Sequence, residues 1–185
     1  MDQKAQIVSK DILKKIYARR PDWSHKGNFG HVLVIGGSRK YSGSPAFAAL
    51  AAFRSGSDLV TIAAPERAAN IIASFSPDMI TEPLKGDYLH PRHLKAILEM
   101  SKSADSIIIG GGIERRNETL TFVRSLLAQV KIPCVIDADA IHAVSQNPAL
   151  LANRPFVLTP HQREFQSLTK QEVGTDTPQR SEAVK

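Results

Sequence analysis

From Val32 onward the chain alternates between two kinds of pattern. Short apolar runs rich in β-branched residues recur at Val32-Leu33-Val34-Ile35, Leu59-Val60-Thr61-Ile62-Ala63, Ser106–Ile109, Cys134–Ile136 and Phe156–Leu158. They are too short for helices and lack the alternate polarity of a strand with one wet face, so they predict strands buried on both sides. A weaker strand is expected around residues 79–81. Between the strands lie helical segments: a small-residue helix at 46–54, Glu66–Ala73, a helix opened by Pro91, another over 117–130 and a short one ending at Leu168. Such alternation specifies a mostly parallel α/β sheet flanked by helices in three α/β/α layers. Ligands of these sheets bind outside the carboxyl ends of the strands, and those ends carry Gly36-Gly37-Ser38, Gly110-Gly111-Gly112, Asp137-Ala138-Asp139 and Thr159-Pro160-His161.

Ahead of the first strand, residues 1–24 form an arm in which Ile12, Leu13, Ile16 and Tyr17 recur at helical spacing behind Ser9, an expected N-cap. The 185 residues suffice for one sizeable core, and a single domain is expected. A hydrophobic share of 42% and a charged share of 23% exclude a disordered or collagen-like chain. No apolar run has transmembrane length, and Met1-Asp2-Gln3-Lys4 opens no secretory leader. With one cysteine, Cys134, these features predict a cytoplasmic protein with no membrane partner. Of the net charge of +6, the first 31 residues carry +4. A basic arm without interleaved aromatics or a zinc-finger pattern reads as a solvated helix face and not as a nucleic-acid surface.

Four segments could carry chemistry. Gly36-Gly37-Ser38 with Gly43, just ahead of a helix, would suit a phosphate or other anion, or would serve as a plain strand-to-helix turn. Gly110-Gly111-Gly112-Ile113-Glu114-Arg115 sits where a dinucleotide fingerprint would, but Arg115 occupies its third glycine position, so close backbone approach to some ligand is the better reading. Asp137 and Asp139 could hold magnesium through water; Asp139 is assigned to capping the helix from Ala140, leaving Asp137 to face the cleft. His161 and Glu164 share the face of a first helical turn, as a cap or as groups reaching a substrate oxygen and a magnesium-bound water. His90 and His93 have no third ligand nearby and Pro91-Arg92 between them, which predicts an exposed helix start and no zinc. Cys134 is expected to be an inert core residue.

In order along the chain, these segments resemble the NAD(P)H-hydrate dehydratases, carbohydrate-kinase-like members of the ribokinase superfamily. The likeness is carried by His25-Lys26-Gly27-Asn28-Phe29-Gly30-His31-Val32-Leu33-Val34-Ile35-Gly36-Gly37-Ser38, Tyr41-Ser42-Gly43-Ser44, Val135-Ile136-Asp137-Ala138-Asp139-Ala140 and Leu158-Thr159-Pro160-His161. It covers most of residues 25–168 and is closest in style to archaeal members. The resemblance implies a ribokinase-like fold and the ADP- or ATP-dependent dehydration of hydrated NADH or NADPH. Ser44 stands where the family has a hydrate-contacting alanine, Gly112 lies in its substrate loop, and His161, Gln162, Arg163 and Glu164 match a substrate-binding stretch. Glu164 also overlays a glutamate that supports magnesium. Gly111 and Glu114 replace a proline and a glycine of the substrate loop. The resemblance further implies that the catalytic base and the nucleotide motif fall in a stretch beyond residue 185, so the fold is expected to lack its C-terminal part. A homo-oligomer, or a second chain completing the domain, is expected for the same reason. A kinase for a vitamin precursor or sugar and a non-catalytic dinucleotide-binding protein are the alternatives.

Overall fold

The computed structural model describes residues 8–17 and 19–184. Six strands, β1 (His31–Ile35), β2 (Leu59–Pro65), β3 (Ile80–Leu84), β4 (Ser106–Ile109), β5 (Cys134–Ile136) and β6 (Phe156–Leu158), form one sheet in the order β3-β2-β1-β4-β5-β6, every pair parallel. The helices are α1 (Asp11–Ile16), α2 (Gly43–Arg54), α3 (Glu66–Ala73), α4 (Leu94–Ser101), α5 (Asn117–Gln129), α6 (Asp139–Ser145), α7 (Gln162–Thr169) and α8 (Thr177–Ala183).

The unbroken apolar runs are explained by two cores, one on each face of the sheet. Val32 and Val34 of β1 pack with Val60, Ile62 and the small residues of α2 and α3. Leu33 and Ile35, one residue out of phase, join Ile107, Ile109, Ile136 and the apolar faces of α5 and α6. Successive side chains of a strand point to opposite faces, so only a strand covered on both sides can be apolar throughout. α2 starts at Gly43, three residues before the expected position, because its first turn is polar and partly exposed and contributes no apolar signal.

At the amino ends of the strands the arm behaves differently. α1 buries no residue, and Ile12, Leu13, Ile16 and Tyr17 stay exposed. Lys10 takes the N-cap position that Ser9 was expected to hold, with Ser9 Oγ accepting from the Asp11 amide at 3.3 Å. The arm is tied down by Arg20, whose guanidinium stacks on Phe29 and pairs with Asp58. Among the described residues no helix is long and apolar enough to cross a membrane.

Candidate functional site

The strand order reverses direction between β1 and β4, and in open α/β sheets the crevice outside the carboxyl ends at such a point is where ligands bind. The two glycine-rich loops leave the sheet there, side by side. The amides of Gly36, Gly37 and Ser38 are already committed: they donate to the carbonyls of Ala63 (3.3 Å), Gly111 (2.9 Å) and Tyr41 (2.9 Å). Unclaimed donors come instead from the start of α2. The amides of Ser42, Gly43 and Ser44 precede the first intrahelical bond, and no side chain caps them.

The second loop explains its own glycines. Gly110 has φ +133°, and a Cβ there would lie 1.8 Å from the Asp137 carbonyl oxygen. A Cβ on Gly111 would meet Ser44 Cβ at 2.9 Å, and one on Gly112, with φ +73°, would meet Tyr41 Cβ at 2.8 Å. The Gly111 backbone therefore lies against Ser44, and that of Gly112 against Tyr41, without intervening side chains. Glu114 also has positive φ, 63°. That conformation favours glycine, the residue the resembling motif carries there.

Side chains lace these loops together from one edge of the sheet to the other. Arg39 pairs with Asp87 (3.1 Å), Ser38 Oγ donates to Glu114 Oε1 (2.8 Å), Arg115 Nε to Asp139 Oδ1 (2.6 Å) and Thr159 Oγ1 to Asp137 Oδ1 (2.6 Å). The expected cap by Asp139 is not formed. Asp139 is itself the first residue of α6, Ala138 with φ 48° holds the N-cap position, and the Asp139 carboxylate is drawn to Arg115. These cross-loop partners stand 22 to 76 residues apart, so periodicity could not reveal them. Arg115 had left one trace, as the residue that interrupts the glycine fingerprint.

At the β6 side, His161 and Glu164 form a reciprocal capping box. His161 Nδ1 accepts from the amides of Arg163 (3.1 Å) and Glu164 (3.2 Å), while Glu164 Oε2 accepts from the His161 amide (2.9 Å). Since Nδ1 accepts, Nε2 carries the proton and faces Glu164 Oε1 at 3.2 Å. The imidazole remains 63% exposed and the carboxylate is nearly buried. Gln162 and Arg163 are exposed, and the Gln162 amide group donates to the Val173 carbonyl. A cavity of about 260 Å³ lined by Leu158, Thr159, Pro160, Gln162 and Phe165, among others, opens beside this turn.

His90 and His93 build a second box, in a 3-10 turn over Pro91–His93. Contrary to the expected exposed helix start, His93 is buried. Its Nδ1 accepts from the His90 amide (3.2 Å), and its Nε2 lies between the Lys85 carbonyl (3.1 Å) and Arg92 Nε (3.2 Å). Burial, aided by the neighbouring Arg92 cation, lowers its pKa below 6.5. Cys134 is buried in β5, and burial pushes its thiol up to about 12, which makes it a core residue. Among the described residues no three His, Cys, Asp or Glu side chains come together as a metal site.

A parallel sheet between two helical layers, with its crevice at the β1/β4 switch, is a doubly wound α/β architecture, and comparison with solved structures places it in the ribokinase-like class. A ribokinase-like superfamily protein of Enterococcus faecalis superposes with a TM-score of 0.79 at 27% identity, over 95% of this chain and 61% of that one. The chain belongs to the NAD(P)H-hydrate dehydratase family, whose model matches residues 32–185. A bifunctional NAD(P)H-hydrate repair enzyme of Methanothermobacter thermautotrophicus is 45% identical over 161 residues, 85% of this chain and 31% of that protein. An ATP-dependent (S)-NAD(P)H-hydrate dehydratase of Ciona intestinalis is 37% identical over 150 residues, 79% of this chain and 41% of that protein. The chain thus spans about a third of the length of the archaeal relative. Neither relative is named as a vitamin-precursor or sugar kinase.

Proposed function

We propose that this chain serves the nucleotide-dependent dehydration of NADH or NADPH hydrate and supplies the wall that holds the hydrate. The observation that carries the reading is the packing of Gly111 against Ser44 and of Gly112 against Tyr41 at the β1/β4 switch, beside uncapped amides, in a member of a family known by that reaction. The amides of Gly43 and Ser44 would take a phosphate of the dinucleotide at the positive end of α2. Gly36, Gly37 and Ser38 would shape the loop behind it rather than bind the anion, because their amides have partners.

In the proposed reaction the terminal phosphoryl group of ADP or ATP passes to the added hydroxyl oxygen of the hydrate. That oxygen gives up its proton as the O–P bond forms and AMP or ADP departs. The C–O bond of the phosphate ester then breaks with loss of inorganic phosphate, and a proton leaves the neighbouring ring carbon to restore the double bond. Magnesium, entering with the nucleotide, would neutralise phosphate charge. The residues fit only a contact through water: Glu164 meets His161 through both oxygens, and Asp137 and Asp139 each accept a protein donor. Glu164 would hold such a water, with Asp137 and Asp139 fixing the cleft wall. A substrate oxygen reaching His161 Nε2 would displace Glu164. Gln162 and Arg163 would line the exposed side of the same subsite. None of these groups is assigned as the catalytic base. A cytoplasmic setting suits this substrate, and assembly with further copies or with a second chain belongs to the same proposal.

Isothermal titration of the 185-residue chain with NADPH hydrate, and separately with ADP and ATP plus magnesium, tests the reading. Saturable binding of the hydrate supports it. Absence of hydrate binding, or preferential phosphorylation of a small alcohol on incubation with ATP, overturns it.

A further inference from the structure

We propose that Tyr41 is the platform on which the nicotinamide ring of the hydrate stacks, an inference that rests on the function proposed above. Tyr41 is clamped by both ligand loops. Its carbonyl accepts the Ser38 amide at 2.9 Å, and its Cβ rests against Gly112, where any side chain would collide at 2.8 Å. Gly37 closes on it from the other side: a Cβ at that position, where φ is +81°, would stand 2.9 Å from the Tyr41 carbonyl oxygen. Two positive-φ glycines thus fix the root of this side chain, yet the residue remains 51% exposed. An aromatic anchored at its backbone and Cβ at the switch point, three residues before Ser44, offers an exposed π surface from a defined root.

The chemistry of the hydrate matches such a surface. Addition of water makes the carbon that carries the hydroxyl tetrahedral, but ring nitrogen, the remaining double bond and the carboxamide stay conjugated and flat. Stacking that flat part on Tyr41 would leave the hydroxyl-bearing carbon at the ring edge, open to the phosphoryl donor. The phenol hydroxyl has no part in this, which separates stacking from hydrogen bonding experimentally.

The test is isothermal titration of NADH hydrate into the 185-residue chain and three variants. Tyr41→Leu keeps Cβ and apolar bulk but removes the ring, and its affinity should fall about tenfold, the order of one aromatic stacking interaction. Tyr41→Phe should bind within about twofold of the parent, since the ring face is retained. Phe75→Ala removes an equally exposed aromatic (52%) at the far end of α3 and should leave binding unchanged. Thermal melting midpoints of all four proteins establish that they fold. Equal affinity of Tyr41→Leu and parent overturns the inference and leaves the proposed function standing. Equal weakening by Leu and Phe also overturns it, since the hydroxyl would then be the contact. A parent chain that binds no hydrate overturns both.

Discussion

Two short turns in this molecule open in the same way and end in opposite surroundings. His90-Pro91-Arg92-His93 and His161-Gln162-Arg163-Glu164 each place a histidine at the N-cap, let it accept the following amides, and return a side chain from the third residue on to the cap amide. In the first turn the returning group, His93, is sealed under the Lys85 carbonyl and beside Arg92. In the second, the capping imidazole stands open to solvent beyond the carboxyl end of β6. Spacing and residue type are nearly the same in both. What separates a structural turn from a candidate ligand contact is the element packed above it, a matter of tertiary structure.

The contrast between sealed and open positions is greatest among the glycines, and the largest expected effect lies there. Gly110→Ala would push a methyl group into the Asp137 carbonyl and hold alanine at φ +133°. It should destabilise the chain by more than about 3 kcal/mol, read as a shift of the urea midpoint, or prevent folding. Gly43→Ala is the open counterpart. It has no positive φ, and its nearest neighbour is Phe47 Cε2 at 3.9 Å, so a change within about 0.5 kcal/mol is expected. Equal effects at the two sites would break the distinction.

The histidine boxes should follow the same order on a smaller scale. His93→Ala empties a buried site and leaves the His90 amide without its acceptor, for about 2 kcal/mol or more. His161→Ala removes only an exposed cap, for about 1 kcal/mol. Acid adds a second readout at the buried histidine. Burial holds the folded pKa of His93 below its ordinary 6.5, so the unfolded chain takes up that proton first. The stability it contributes is present above pH 6.5 and is lost as pH falls below that value towards the folded pKa. Urea titrations at neutral and mildly acidic pH should therefore show a shallower decline for His93→Gln than for the parent chain. A parallel decline in both proteins would locate the acid sensitivity elsewhere.

Much of this architecture was legible in the chain. β4, β5, β6 and α3 fall where the apolar runs placed them, because strands covered on both faces leave an unbroken signal. The glycine loops were legible as places of close approach, but the approach was expected to be to a ligand, whereas Gly110 and Gly112 close on the Asp137 carbonyl and on Tyr41. The lacing between loops was not. Asp139 has the sequence context of an N-cap and lost that role to an arginine 24 residues away. His93 sits in a polar stretch and is nevertheless buried, because Leu89 and α5 close over it through the Thr119–Leu89 hydrogen bond and the shared core. Local pattern reports local geometry. Which polar side chains meet across strand ends depends on strand order, and nothing in the local pattern states the β1/β4 neighbour relation.

Glu114 offers the smallest effect and the finest division between strain and bonding. It is held at φ 63°, a conformation that costs a residue with a side chain about 1 kcal/mol, and its carboxylate accepts the Ser38 hydroxyl. Glu114→Ala keeps the strain and loses the bond, so it should destabilise the chain by about 1 kcal/mol. Glu114→Gly loses the bond and removes the strain, and the two changes should nearly cancel, leaving a net effect within about 0.5 kcal/mol. If alanine and glycine at this position give the same urea midpoint, the positive φ carries no cost and the Ser38 bond is all that holds the loop. If glycine is clearly more stable than the parent, the carboxylate is kept at the expense of stability. Its place beside the proposed anion site would then belong with the open positions, where a side chain is retained for what it meets and not for what it holds together.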